Sequence, residues 1–292
     1  MNIPWKIKSA VFRFVDVFQA EKFLFFLQKN VTKRSAKPEI NTSNIIRREN
    51  NYHYKNWNSH KETINKYNTK GALFEFGAGK SLIQNLFLTN VVSNQIVVDL
   101  NLMIDINLVN KSIDTLSDLD IPLEKGHIAD LKDLENKYNI SYKAPYDASK
   151  TDLDDNEIDI CVSTNTLEHI PEDSLYLILK EIKRILKKDG LLSAVIDYSD
   201  HYSHTDKSIN ALNYLKYNEK SWKRYNHNCH YQNRLRHYDY KDIFQKVGFE
   251  ILEENIIYDE ESISEDLRNK FLNHPKSWCA TSGHFVLRQS TL

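Results

Sequence analysis

Glycine is scarce in this chain, with seven residues in 292, and cysteine occurs only three times. Cys161, Cys229 and Cys279 are odd in number and far apart, with no CxxC pair. That excludes a disulfide framework and a cysteine zinc site as organising features. No apolar run reaches the ~18–20 residues that a membrane span needs. The first thirty residues carry charges throughout and lack the clean apolar stretch of a signal peptide. An excess of one charge is also missing: 39 basic residues face 40 acidic ones, for a net charge of −1. Such a balance leaves no electrostatic footprint for nucleic acid as a partner. The expected compartment is a reducing cytoplasm.

What the chain does have is core-forming material. Hydrophobic residues make up 41% and aromatics 11%, enough to fold a large domain with additions. Residues 1–34 are aromatic and basic. Val11, Phe14, Val15 and Phe18 recur at helical spacing, which suits a helix packed on the domain or on a partner subunit, or one lying weakly against a membrane surface. Residues 35–70 read as a polar linker with a helix at about 56–68.

Strands and helices then alternate. ALFEF (72–76) ends at a glycine and reads as a buried strand, followed by a helix over SLIQNLFLT. QIVVDL (95–100) is a second strand. Residues 103–117 suit a helix, and 123–130 a third strand or an irregular edge. IDICVST (158–164) is a strong buried strand. SLYLILKEIKRILKKDG (174–190) is an amphipathic helix with Leu177, Ile178, Ile182, Ile185 and Leu186 on one face, lysines in its last turn and Gly190 as its stop. LLSAVIDY (191–198) is the next strand, and DYKDIFQKVG (239–248) a short helix. FEILEENIIY (249–258) and GHFVLRQ (283–289) have no crossover helix between them and are expected to pair antiparallel. The pattern predicts an α/β fold: a Rossmann-like, doubly wound, mostly parallel sheet with a late antiparallel strand pair. Residues 1–69 would form an N-terminal helical extension and linker. Residues 70–292 would form the α/β domain, with a helical lid insertion at about 201–238.

Two of the seven glycines, Gly77 and Gly79, lie in the turn after the first core strand, Glu75-Phe76-Gly77-Ala78-Gly79-Lys80-Ser81. Ligands bind at the carboxyl ends of such strands. A phosphate-wrapping GxxxxGK[ST] loop needs glycine where Phe74 stands. A GxGxxG dinucleotide fingerprint needs glycine where Leu82 stands. A tight turn with no ligand is a further reading. An acid two residues before Gly-x-Gly fits every position and resembles motif I of class I S-adenosylmethionine-dependent methyltransferases.

Further motifs follow in the family's order. Asp99 closes the second strand, 99 − 75 = 24 positions beyond Glu75. Asp147-Ala148 precedes the strand IDICVST. Thr164-Asn165-Thr166-Leu167-Glu168-His169-Ile170 resembles the segment after strand four in the methyltransferase type 11 group. LKKDGLL resembles the turn before strand five, with Lys188 and Asp189 in place of a proline and a glycine.

The resemblance covers about residues 70–200 and implies S-adenosyl-L-methionine as cofactor. It implies that Glu75 anchors the ammonium group around Gly77, Ala78 and Gly79. Asp99 and Leu100 would hold the ribose side, Asp147 and Ala148 the adenine, and Asn165 would border the cofactor.

Methyl transfer to a hydroxyl needs a base. His201 and His204, just after strand five, are candidate bases, with Asp200 as the carboxylate that orients them. His169 and, in the aromatic and basic segment 207–238, Tyr231, Asn233, Arg234 and Arg236 are candidate acceptor contacts, suited to a small-molecule or glycan acceptor. RNA or protein methylation and a non-catalytic cofactor-binding subunit are the alternatives. No metal is expected: in E-x-x-E-H, the pattern with which some methyltransferases hold a divalent ion, Asn165 replaces the leading acid. His201-x-x-His204-x-Asp206 alone is a weak zinc motif.

Overall fold

The computed structural model describes residues 4–18, 52–121, 123–260 and 263–290. Segment 19–34 and residues 35–51 of the linker lie outside these. Helix α1 (Trp5–Val17) buries Trp5, Ser9, Phe12 and Val15. The packing face is therefore rotated from the expected one, since Val11, Phe14 and Phe18 are exposed. Helix α2 (Tyr52–Tyr67) lies where the linker helix is expected and leads into strand β1 (Ala72–Phe76).

There follow α3 (Ile83–Leu88), β2 (Asn94–Val98), α4 (Ile106–Asp118), α5 (Leu131–Tyr138) and β3 (Ile140–Lys143). Then come β4 (Ile158–Thr164), α6 (Glu172–Ile185), β5 (Leu186–Asp197) and a one-turn helix α7 (Glu219–Trp222). The chain closes with α8 (His237–Val247), β6 (Phe249–Tyr258), α9 (Glu265–Lys270) and β7 (Ala280–Gln289).

The strand order is β3-β2-β1-β4-β5-β7-β6. Strands β1 to β5 pair in parallel, and β7 runs antiparallel to both β5 and β6. This is the mostly parallel doubly wound sheet with a late antiparallel pair that the sequence predicts. The order reverses between β1 and β4, so a crevice opens beyond their carboxyl ends. Alternation along the strands fills both faces. Phe74, Val98 and Cys161 pack with Ile178, Ile182 and Phe244 on one side. Leu73, Val97 and Val162 pack with Trp57, Ile64 and Val109 on the other.

Three elements differ from expectation. Residues 123–130 are irregular, and the third strand is the four-residue β3. α6 ends at Ile185 rather than at Gly190. The backbone leaves the helix there because Leu186 enters the sheet opposite Ile158. Within the same helix Leu177 does not face the core: it is 56% exposed, whereas Leu175 and Leu179 are buried. The segment expected as a helical lid carries α7 and two 3-10 turns, Asn213–Lys216 and Asn228–His230. It packs Tyr202, Tyr214 and Trp222 against Trp5 and Phe12 of α1.

Candidate active site

The turn after β1 sets the floor of the crevice. Gly77 and Gly79 both have φ of +77°, the left-handed region that glycine enters without strain. A Cβ on Gly77 would sit 2.4 Å from the Thr166 methyl group, whereas one on Gly79 would meet nothing within 4 Å. The first glycine therefore lets two segments touch, and the second leaves backbone facing open space.

Glu75 is buried. Its carboxylate accepts from Gln84 Nε2 at 2.9 Å and Asn85 Nδ2 at 2.6 Å. These bonds tie the strand end to α3. From there a polar relay runs through the sheet: Thr164 donates to Gln84 Oε1 at 2.8 Å, and His60 Nε2 lies 2.8 Å from the Thr164 hydroxyl.

A cleft of about 570 Å³ opens beside this turn. Its walls include Phe76, Gly77, Val98, Asp99, Leu100, Asp147, Ala148, Thr166, His169 and Ile178. Asp99 follows β2 at the crevice edge, and its carboxylate accepts from the Tyr142 hydroxyl at 2.8 Å and from the Gly79 N–H. Burial holds its pKa above the ordinary value despite those bonds. Leu100 is exposed on the rim. The Asp147 carboxylate accepts from the Ser149 hydroxyl at 2.7 Å and the Ser149 N–H at 2.8 Å, which lowers its pKa. Asp99, Leu100, Asp147 and Ala148 thus share one cleft, although Asp147 stands 48 positions beyond Asp99 (147 − 99). Asn165 sits beside the cleft with φ of +51°, its N–H donated to the Val195 carbonyl.

The second half of the site adjoins the first through His169. His169 lines the cleft, and its ring centroid is 4.8 Å from that of His201, which stacks at 4.9 Å on His204. The carboxylate among them is Asp197, at the end of β5. Its Oδ2 lies 3.4 Å from His201 Nε2 and 3.6 Å from His204 Nε2. Burial works against the Asp197 charge, but the His201 ring beside it and hydrogen bonds from Ser199 outweigh that and lower the pKa. Burial lowers the pKa of both His169 and His204.

Asp200 is not the orienting acid. Its buried carboxylate is taken by Asn213 Nδ2 at 2.9 Å and the Tyr202 N–H at 2.9 Å. The sequence reading missed Asp197, although its position four residues before His201 suits a carboxylate–imidazole pair in a turn.

Most of the proposed acceptor contacts are engaged elsewhere. Arg236 is fully buried, donating to the carbonyls of Trp278 and Tyr198, both at 2.8 Å, and also to Ala280 and the Tyr214 hydroxyl. Arg234 donates to the carbonyls of Tyr214 and Tyr217 and pairs with Glu219. The Asn233 amide donates to the carbonyls of Leu167 and Ile170. Tyr231 contributes its backbone carbonyl, 2.8 Å from His169 Nδ1. These residues fasten the insertion to the domain, and His169 alone of the set lines the cleft.

A family model described as a methyltransferase domain matches residues 119–194. The match spans Asp147, Ala148, Glu168 and His169 and begins after the glycine turn. No curated protein matches the chain. Among solved structures, the 1,6-didemethyltoxoflavin-N1-methyltransferase of Burkholderia thailandensis, with bound 1,6-didemethyltoxoflavin and S-adenosylhomocysteine, is similar over 97% of this chain and 89% of its own. The identity is 11% and the TM-score 0.50. An S-adenosylmethionine-dependent methyltransferase from Clostridium acetobutylicum is similar over 92% of this chain and 98% of its own, at 12% identity and a TM-score of 0.48. At such identities the Burkholderia structure speaks for the fold, and the matched domain for the methyltransferase resemblance.

Proposed function

We infer, from the premise of a class I methyltransferase that uses S-adenosyl-L-methionine, that this chain methylates a hydroxyl on a small-molecule or glycan acceptor. The cofactor supplies an electrophilic methyl group on its sulfonium. The chain's residues supply placement and proton removal. Asp99 has carboxylate lone pairs to grip the ribose hydroxyls, Asp147 suits the adenine amino group, and Phe76, Val98 and Ile178 form apolar walls. The open side of Gly79 lets backbone approach the methionine end. Glu75, spent on Gln84 and Asn85, acts by holding that turn in place.

The observation that carries the hydroxyl reading is the cluster of His169, His201 and His204 around Asp197 at the side of the cleft. A hydroxyl must lose its proton as the new O–CH3 bond forms and the C–S bond breaks, its electron pair passing to sulfur. The cluster is where the O–H bond is broken. Kinetics of single variants, with cofactor binding measured by calorimetry, test this. His201→Ala or His204→Ala should lower turnover by about 10²–10⁴-fold with cofactor affinity kept. Asp99→Ala should lose roughly 1–3 kcal/mol of cofactor binding. Full turnover in both histidine variants would remove the cluster from the reaction.

Location is a second part of the reading. No helix among the described residues is long and apolar enough to cross a membrane, and none of the three cysteines is in a disulfide. We place the protein in the cytoplasm. The outer face of α1 favours weak contact with an anionic membrane surface, because Ile7, Val11, Phe14 and Phe18 form an exposed stripe flanked by exposed Lys6 and Arg13. Flotation with phosphatidylserine vesicles, lost in Phe14→Asp, would support that contact, and no flotation would remove it.

A further inference from the structure

Glu168 is 2% exposed, and its carboxylate oxygens make no well-formed hydrogen bond, only loose approaches from its own N–H and from that of Asp197. His201 Nε2, a few ångströms away, makes no well-formed hydrogen bond either. Its nearest acidic oxygen, on Asp197, stands off at 3.4 Å. Buried carboxylates in proteins are paired, hydrogen-bonded or bound to metal. Here the second buried carboxylate, Asp197, stands close enough to Glu168 to repel it. No lysine or arginine side chain approaches either acid within ion-pair distance among the described residues.

The groups around these two acids are metal ligands by type and spacing. Ligand atoms of Glu168, His169 and His201 lie within 4.8 Å of one another, and so do those of Asp197, His201 and His204. His201 belongs to both sets. His169 is also held as a ligand would be: its Nδ1–H donates to the Tyr231 carbonyl, which leaves the Nε2 lone pair for an ion.

We propose that this cluster binds one divalent transition-metal ion at His201, with Glu168 and His169 on one side and Asp197 and His204 on the other. Three imidazoles with carboxylates and no thiolate suit zinc and its first-row neighbours better than magnesium or calcium. The sequence expectation of no metal rested on Asn165 replacing an acid. The fold overrides it by bringing Asp197, His201 and His204 from the end of β5 and beyond to the turn after β4. The ion's role rests on the hydroxyl reading above: it would hold the acceptor oxygen beside the cofactor cleft and make its proton more acidic, as a bound metal does for water. Its binding does not depend on that reading.

The test uses the full chain, freed of metal by a chelator and titrated with Co²⁺, followed by visible d–d absorption, with Zn²⁺ as competitor. One equivalent of Co²⁺, displaced by Zn²⁺, is the expected result. His201→Ala and Glu168→Gln should each weaken binding by about 100-fold or more, and His127→Ala, a surface control, should leave it unchanged. Thermal melts of each variant establish that it is folded. No stoichiometric binding in the folded wild type overturns the proposal, as does binding unaltered in both folded variants. A Glu168→Gln variant at least as stable as the wild type, with neither binding Co²⁺, would identify Glu168 as a protonated structural acid. Cofactor calorimetry on the metal-free protein separates the two readings, since a chain that binds metal but methylates no hydroxyl fails on function alone.

Discussion

Arg236 shows how a residue chosen as a ligand contact becomes a structural one. An exposed guanidinium facing a cleft would have donors to spare. This one spends its donors on Trp278, Tyr198, Ala280 and the Tyr214 hydroxyl, and so ties the insertion to β5 and β7. Hydrogen bonds from a charged donor contribute more than neutral ones, and removing the donor strands four buried acceptors. Arg236→Ala should therefore cost stability, on the order of 3 kcal/mol or more, while the cofactor affinity of the folded protein is unchanged. Urea melts report the first effect. A variant of wild-type stability with raised acceptor KM would restore Arg236 to the acceptor site. Sequence could not separate these roles, because an Arg in an aromatic segment looks the same whether it faces solvent or carbonyls. Asp99 directly follows β2 and Asp147 lies four residues beyond β3, so both fall at the carboxyl edge of the sheet and line one cleft.

Among the elements, legibility followed length and periodicity. β1, β4 and β6 were readable to the residue: β1 and β4 are largely apolar runs with clear ends, and β6 starts directly after Gly248. β3 has four residues, only the first buried, and its signal is weaker than that of Leu123 and Ile128, which are buried from irregular chain. Helix α5 was not read from the sequence, although Asp130 caps its start, its carboxylate accepting from the Asp133 N–H at 2.8 Å. α6 stopped early because pairing in the sheet outweighed the helical pattern of its last residues.

Helix α2 carries a feature that no periodicity announces. His60 Nδ1 lies 2.7 Å from the Ser193 hydroxyl, which lies 2.8 Å from His284 Nε2. Burial holds His284 down at about 4, and burial together with His284 holds His60 well below its ordinary value. Both are neutral when folded, whereas the unfolded chain protonates them near 6.5. The unfolded state binds more protons across that interval, so stability is present above about 6.5 and is lost as pH falls towards about 4. Denaturant midpoints between about pH 7 and about pH 4.5 should fall less steeply in His284→Gln than in the wild type. Parallel slopes would mean that the pair does not titrate with unfolding.

At the scale of the whole molecule, the N-terminal helix reaches the site through the insertion. The Trp5 ring lies 4.8 Å from Tyr225, 5.5 Å from Tyr202 and 5.8 Å from Tyr217. The Trp5 N–H donates to Asp206 at 2.7 Å, and Asp16 accepts from the Asn228 N–H at 2.7 Å. These contacts close over segment 199–230, which carries His201 and His204, while the cleft proposed for the cofactor is built from the ends of β1 and β2, the turns after β1 to β4, and α6. The two halves of the site therefore depend on different parts of the chain. Trp5→Ala should leave a cavity costing about 3–5 kcal/mol, drawn from the packing of the insertion. Amide exchange across 199–230 should then accelerate, turnover should fall, and S-adenosylmethionine affinity should stay within about twofold, well under the tenfold that about 1.4 kcal/mol represents. Hydrogen exchange and calorimetry on the same variant decide the matter. If cofactor affinity falls with turnover, or exchange quickens evenly over the sheet, then α1 supports the domain as a whole and has no separate hold on the histidine side of the site.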